Sequence, residues 1–544
     1  MCVMLDDPAR PHDQWGQGWA RGARCCPRPT RSPMDPARPH TSAFRAPHPG
    51  LIVLAAMGLA AACSLLAGIN PMLGIVAALV VLLAGAFSAN HTVALCCFAA
   101  APYAEVVTDV TGAALSPIKV AGGALILLAA LTLAVRVRGW NGWGAVRHSS
   151  TSPAWSRHPV TVLALVSFVA FAGISVAWAQ NEQRVQALTS RLALDTLLFL
   201  AIGAVLMRPA QLRAMAWTVL AAGACSTTYG FVFGAQYDSR FVGTFSDPNE
   251  FAAAIVVSLA LGYGAVSTAR SAAARRMGYV MAAICTYGLI ASQSRGGLIA
   301  VVMGGFVIVA TSRGRERIRM MGTSSVLLAV LGVFLVLSPS GQGTLDRMLH
   351  GDSSGRTDLW RIARAQIADQ PLHGVGLGNY PVVAVQYITR DVTNTSLVVG
   401  RPRTTHNAFL EITAELGFIG ISAFALFVGS CLLAATRGVR RARRIGAHDL
   451  VALGRALIAA TCGVLAACLF LSDQYDEILW MLLAGCVAHG VLVARATVSI
   501  ERVDTTRAAR VVPAYVPAVR STVPVLELPA GAPLPEASAH GQPS

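Results

Sequence analysis

Long apolar blocks separated by short polar segments make up most of the chain. Fourteen of these blocks are candidate membrane spans, near residues 50–68, 72–89, 91–104, 118–136, 159–179, 192–207, 212–233, 250–268, 277–293, 297–311, 324–338, 416–436, 451–471 and 477–494. An apolar block of about 20 residues is long enough for a helix to cross a bilayer. The third block is short, so twelve or thirteen spans remain alternatives. The pattern predicts an all-α polytopic membrane protein with about 12–14 transmembrane helices.

The polar segments between the spans alternate in charge. Basic segments such as ARSAAARR, SRGRERIR and RGVRRARR follow even-numbered spans, whereas acidic or mixed segments such as QNEQRVQ and SDQYDE follow odd-numbered spans. Cytoplasmic loops of membrane proteins carry an excess of Lys and Arg. The alternation therefore predicts that the basic segments and both termini are cytoplasmic, and that the acidic segments lie outside.

These patterns divide the chain into five regions. Residues 1–48 are rich in Arg, Pro and His and predict a disordered cytoplasmic head, and residues 496–544 predict a disordered cytoplasmic tail. Transmembrane helices 1–11 occupy residues 49–338, a large outer loop occupies 339–415, and helices 12–14 occupy 416–495.

The large outer loop contains a predicted amphipathic helix in TDLWRIARAQIADQP. Its apolar positions share one helical face, which Arg361 and Arg364 avoid, and Pro371 ends the pattern. The apolar face comprises Leu359, Ile362, Ala363 and Ile367. Such a helix either lies on the membrane surface or packs within a small domain of the loop itself.

Composition agrees with a membrane protein, since 54% of the residues are hydrophobic and only 13% are charged. The net charge is +16, but the arginines fall in short clusters between apolar blocks and form no basic face, so nucleic-acid binding is not expected. Nine of the twelve cysteines lie in apolar blocks, and none has zinc-type spacing. The sequence predicts neither a metal nor a cofactor.

Arg295 interrupts an apolar run, YGLIASQSRGGLIA, at the outer end of the ninth span. A charged side chain in such a place either binds an anion or merely extends its head to the membrane surface. No basic cluster surrounds Arg295, so it is not a signal of topology, and Gly296 and Gly297 are expected to leave its head accessible. We therefore favour anion binding.

Three other outer stretches add candidates for substrate binding. Arg240 precedes a turn and helix start at Asp247-Pro248-Asn249, and Arg356 precedes the amphipathic helix. The glycines of HGVGLGNY form either a simple turn or a nest of backbone N–H groups for phosphate oxygens. The candidates in this last stretch are Gly376, Gly378 and Asn379.

The stretch RPRTTHNAFLEITAELGFIG leads into the twelfth span. Thr404 or Thr405 is expected to cap its helix, with His406 in the first turn at the outer surface. There His406 is either a structural residue or a catalytic base. Asn407 and Glu411, with Glu415, recur every four residues on one face. Further substrate-binding candidates here are Arg401, Arg403, Asn407 and Glu411.

Five segments in this order, RFVGTFSDPNEFA, SQSRGG, SGRTDLW, PLHGVGLGNY and THNAFLEITAELGFIG, resemble the O-antigen ligase and O-antigen polymerase-like membrane proteins, over about residues 240–430. The resemblance implies a metal-independent glycosyltransferase at the outer face of the bacterial inner membrane. It would take a glycan from an undecaprenyl diphosphate carrier to a glycan, lipid or protein acceptor. It also implies functional roles for Arg295, Arg356 and His406.

In this interpretation, Arg295 and Arg356 stabilise the diphosphate leaving group, and His406 accepts the proton of the attacking hydroxyl in an inverting displacement. Glu411 is the only candidate for a nucleophile in a double displacement. The alternative is a transporter of polysaccharide or lipid-linked sugar, against which the scarcity of charges in span centres and the lack of a duplicated half both argue. Ligase, polymerase and protein glycosylation all remain open.

Overall fold

The computed structural model describes residues 90–106, 116–138, 152–237, 240–337, 355–388 and 403–511, together with positions 79–80, 83–84, 87, 342 and 392. All of these belong to one unit of the chain, Leu59–Ser544. The predicted head, nearly all of the first two predicted spans and much of the outer loop, including Arg401, lie outside the described residues.

Helices form nearly every regular element of the described part, as expected where a bilayer leaves backbone groups no water to bond. The α-helices are α1 His91–Ala100, α2 Pro117–Arg138, α3 Pro159–Ile174, α4 Glu182–Val205, α5 Pro209–Phe233, α6 Pro248–Ser267, α7 Ala272–Ala291, α8 Arg295–Thr311, α9 Gly314–Leu337, α10 Arg356–Asp369, α11 Tyr380–Val383, α12 Ala408–Arg444, α13 His448–Ala467 and α14 Glu477–Val511. Short 3₁₀ turns span Ala101–Ala104, Ala154–Arg157, Ser175–Ala177 and Ala384–Tyr387. Strands β1 Gln236–Tyr237 and β2 Arg240–Phe241 form an antiparallel ribbon.

Eight helices of the described part are long and apolar enough to cross a membrane, namely α2 to α6 and α12 to α14. Each predicted span from the third onward coincides with a helix, so the prediction of an all-α polytopic membrane fold is confirmed. The prediction of a disordered tail from residue 496 was wrong in part, because α14 continues to Val511. No Gly or Pro occurs between Gly490 and Pro513 to end the helix earlier.

Helices α6 and α13 lie at the centre of the bundle, and the candidate site lies near the start of α6. Helix α6 packs on α5, α7, α8 and α13, and α13 also contacts α8, α12 and α14. A Cβ added to Gly264 of α6 would lie 2.8 Å from the Cβ of Ala456 of α13. Small residues at the contact therefore let the two helices approach closely, as is common between membrane helices.

The amphipathic helix α10 packs on protein. Its residues Leu359, Ile362 and Ala363 are buried in one cluster with Tyr380 of α11 and Ala414 of α12. Arg361 and Arg364 are exposed, as the sequence predicts. The sequence left two alternatives for this helix, the membrane surface and packing on protein. The structure supports packing on protein, against α11 and α12.

Helix α12 is broken at Gly417, whose backbone is non-helical at φ 62° and ψ −166°. A break frees carbonyl groups that an intact helix would satisfy. Here the carbonyls of Ala414 and Glu415 accept hydrogen bonds from the backbone N–H groups of Val375 (3.0 Å) and Gly376 (2.8 Å). The segment that follows α10, residues 370–379, is thereby bonded directly to the broken turn.

The N–H groups beyond the break are satisfied by the same segment. Phe418 donates to the Pro371 carbonyl at 2.8 Å, and Ile419 donates to the Leu372 carbonyl at 3.3 Å. A Cβ on Gly417 would lie 2.2 Å from that Leu372 oxygen. Only glycine combines the positive φ with this close approach.

We predict that Gly417→Ala destabilises the protein, because the strained backbone alone costs about 1–3 kcal/mol and the steric clash adds to it. The measurement is thermal unfolding of the purified protein in detergent. Gly429→Ala is the matched control, since this glycine lies in the same helix and an added Cβ meets nothing within 4 Å. Equal unfolding temperatures for the two variants would contradict the role of the break.

Candidate active site

Arg295 is the first residue of α8 and follows a tight turn from α7. Ser294 caps α8 by accepting a hydrogen bond from Gly297 N, and Gln293 adopts a positive φ of 51°. Arg295 itself is half-buried, and one of the two glycines that follow it has a packing role. A Cβ on Gly297 would lie 2.7 Å from the Cβ of Ala252 in α6, so this glycine serves close helix packing.

Arg240 supports the turn that carries Arg295. Its Nε donates to the Ser292 carbonyl at 3.0 Å, and its Nη2 donates to Asn249 Oδ1 at 3.0 Å. The same Asn249 oxygen accepts from Ser294 Oγ at 3.0 Å. These contacts give Arg240 a structural role in the turn, where the sequence suggested direct contact with substrate.

Arg356 opens α10 after Gly355, whose φ is 71°. Burial lowers the pKa of Arg356 below its usual value, the nearby charge of Arg295 lowers this pKa further, and Asp247 opposes both. Asp247 caps the start of α6 by accepting from the N–H groups of Asn249 and Glu250. Two arginines close together in a half-buried site suit a ligand with more than one negative charge.

His406 lies near Arg356. Burial lowers the pKa of His406 below its usual value, the charge of Arg356 acts in the same direction, Asp247 opposes, and Arg403 lowers it slightly more. The imidazole is therefore neutral near pH 7, which is the form that can accept a proton.

The start of α12 differs from the sequence prediction. Asn407 caps the helix, its Oδ1 accepting from Leu410 N at 3.0 Å, so that His406 precedes the helix and is not in its first turn. His406 has a positive φ of 49°, an uncommon conformation for a residue with a side chain. Asn can cap as well as Thr, and the sequence alone did not distinguish them.

The glycine loop does not form a phosphate nest. Gly376 N donates to the Glu415 carbonyl, Leu377 N donates to Ser175 Oγ at 3.0 Å, and Asn379 N donates to the Gly376 carbonyl. A Cβ on Gly378 would lie 2.5 Å from Leu188 Cδ1. These N–H groups face protein, and the geometry favours the alternative of a structural turn.

Asn379 is fully buried and also has a structural place. Its Oδ1 accepts from Asn181 N at 2.8 Å, and its Nδ2 donates to the Leu377 carbonyl at 3.0 Å. The structure therefore brings together Arg295, Arg356, His406 and Arg403 among the predicted site residues. Gly376, Gly378 and Asn379 instead pack against the turn that follows α3 and against α4.

An acidic cavity of about 360 Å³ lies beside this site and was missed by the sequence analysis. Its carboxyl groups come from three separate segments of the chain, and they belong to Glu105, Glu250, Asp473, Asp476 and Glu477. Burial and the neighbouring Glu477 raise the pKa of Asp476 to about 7. Burial and Asp476 raise the pKa of Asp473. The only sequence signal was the acidic segment SDQYDE.

Comparison with known proteins places the site in a recognised region. Residues 280–425 match the family described as O-antigen ligase, which confirms the resemblance seen in the sequence. The matched range includes Arg295, Arg356 and His406. A search of curated proteins returned no match to the chain.

We predict that His406 titrates below its ordinary value of 6.5 and that Arg356→Gln raises its pKa, since the substitution removes a nearby positive charge. Diethyl pyrocarbonate acylates only neutral imidazole, so its reaction with the His406 peptide, followed by mass spectrometry across pH, measures this titration. Exposed His448, at the opposite end of the bundle, is the internal control. An unchanged His406 profile in Arg356→Gln would contradict the proximity of the two residues.

Proposed function

We propose that this chain, a multi-pass membrane protein of the O-antigen ligase-like family, transfers a glycan from an undecaprenyl diphosphate carrier to an acceptor hydroxyl. The family match supports a role in glycan transfer during polysaccharide assembly. The observation that carries the finer proposal is the grouping of Arg295 and Arg356 with a neutral His406.

The two arginines would bind the diphosphate of the donor. As the bond between the anomeric carbon and the diphosphate oxygen breaks, its electron pair moves to that oxygen and negative charge grows on the leaving group. Guanidinium groups bind phosphate oxygens in a bidentate manner, and their charge stabilises the transition state more than the ground state. These two cations supply the stabilisation that a metal ion provides in other phosphate chemistry.

His406 would act as the general base. The acceptor oxygen attacks the anomeric carbon while its proton moves to the free ring nitrogen of His406, so one C–O bond forms as the other breaks. A single displacement of this kind inverts the anomeric configuration. Arg356 helps to keep His406 neutral before the reaction, because its charge lowers the pKa of the imidazole.

The site would face the outside of a bacterial inner membrane, with both termini in the cytoplasm. Its parts lie at the start of α6, the junction of α7 and α8, and the start of α12. The opposite ends of these helices carry the basic segments, including Arg275 and Arg276 at the start of α7 and Arg443 and Arg444 at the end of α12. That charge distribution matches a cytoplasmic location for the opposite ends.

Substitution of Arg295 tests the proposed transfer. We expect Arg295→Ala to reduce glycan transfer by purified protein about a hundredfold, the usual effect of losing a contact that stabilises developing charge, or about 3 kcal/mol. Arg295→Lys should also be strongly impaired, since Lys keeps the charge but loses the planar pair of donors. His406→Ala should show a similar loss.

The control is Arg313→Ala, an exposed residue at the opposite end of the bundle, which should leave transfer unchanged. Protein level and membrane insertion should stay normal in all variants. Near-normal transfer by Arg295→Ala from a lipid diphosphate donor would mean that Arg295 only extends to the membrane surface.

The proposed sidedness predicts which positions an impermeant thiol reagent reaches in intact cells without their outer membrane. A cysteine at exposed Ala368 of α10 should react, whereas one at exposed Ala273 at the start of α7 should react only after lysis. The unsubstituted protein reports background labelling of its own cysteines. The reverse pattern would place the arginines in the cytoplasm and rule out the proposed donor site.

A further inference from the structure

Glu411, in the first turn of α12, bonds to the backbone next to His406. The Glu411 side chain is buried, with 5% of its surface exposed. Its Oε2 accepts from Thr405 N at 3.1 Å and from Ser472 Oγ at 2.6 Å, and its Oε1 accepts from Gln474 Nε2 at 3.1 Å. The Thr405 N–H and the Gln474 amide group can only donate, so both carboxyl oxygens of Glu411 act as acceptors.

The same Thr405 is fixed by two further bonds. Its hydroxyl oxygen accepts from Asn407 N at 3.1 Å and lies 3.1 Å from Glu411 Oε2. Its carbonyl accepts from Trp360 Nε1 at 3.0 Å, and Trp360 lies one turn after Arg356 in α10. The residues on both sides of His406 are therefore held, and the hold extends to the helix that carries Arg356.

His406 needs such support because its backbone is strained. A positive φ in a residue with a side chain costs free energy and persists only where the surrounding structure imposes it. Glu411 contributes by accepting from the Thr405 N–H group, while the Thr405 hydroxyl, also 3.1 Å from Glu411 Oε2, donates to the Asn407 carbonyl at 2.8 Å. A base that moves by even about 1 Å loses on the order of a hundredfold in rate.

We infer that Glu411 is a positioning residue, whose carboxylate fixes Thr405 and thereby holds the His406 imidazole beside Arg356 for proton transfer. The inference rests on the proposed role of His406 as base. It replaces the earlier expectations for Glu411 as a contact to substrate or a nucleophile, because both of its oxygens already accept from protein donors. The residue would act on the reaction only through His406.

The test is steady-state and single-turnover transfer from an undecaprenyl diphosphate-linked glycan by Glu411→Gln. The amide carries an NH2 group in place of one carboxylate oxygen, so Thr405 loses its acceptor unless Gln474 turns its own amide over to accept. Glu411→Ala removes the acceptor in either case. We expect kcat to fall about tenfold to a hundredfold, with the KM for the donor unchanged, since Arg295 and Arg356 are untouched. In a His406→Ala background, Glu411→Gln should cause no further loss.

Two variants separate positioning from a merely structural role. Ser472→Ala removes a donor to Glu411 without touching Thr405, so it should keep normal kcat. Thr405→Ala leaves the bonds from Ser472 and Gln474 in place but removes the hydroxyl beside His406, so it should lower kcat. Thr405→Ala also serves if Glu411→Gln fails to fold, because normal kcat in this variant would overturn the inference.

The outcomes distinguish this inference from the proposed function. Normal kcat in Glu411→Ala, or an equal loss in this variant with and without His406, would overturn the positioning role alone. Full activity of His406→Ala would refute the proposed base, and the positioning role would fall with it. A raised donor KM with normal kcat in Glu411→Gln would mean that Glu411 serves substrate binding instead.

Discussion

The candidate site depends on the hydrogen bonds made across the break in α12. An apolar bundle offers no water to carbonyl groups that a helix leaves unpaired, and each such group costs several kcal/mol. The broken turn at Gly417 meets this need with the backbone of residues 371–376. Because that segment follows α10 and the broken turn follows His406, the same bonds fix Arg356 and His406 relative to each other.

The charged groups around Arg356 and His406 differ in the partners that they contact. Arg240 donates to a carbonyl and to an amide oxygen, which support its position. Asp247 opposes the positive field at both Arg356 and His406. Most of the other nearby carboxyl groups line the separate acidic cavity. The arginine site is thus separated from most of the nearby carboxyl groups, which suits the binding of an anion.

Local pattern predicted what local forces decide. The apolar blocks predicted helices α1 to α9 and α12 to α14, and the spacing of Leu359, Ile362 and Ala363 predicted the buried face of α10, because each depends on residues a few positions apart. The glycine loop was harder, since its N–H partners lie about 40 residues later, at a break that no spacing reveals. The acidic cavity was missed for the same reason, because its five carboxyl groups come from three segments that only the fold brings together. The link from Glu411 to Ser472 likewise joins parts of the chain that only the fold brings together.

The closeness of Arg356 and His406 has a consequence for the order of events in the proposed reaction. Two charges act on each other equally, so an anion bound between the arginines must offset their effect on His406 and make the imidazole more basic. Burial keeps His406 neutral when the site is empty. Binding of the donor would therefore both place the leaving group and strengthen the base. An arginine site set apart from the histidine could only bind, whereas this arrangement couples binding to proton transfer.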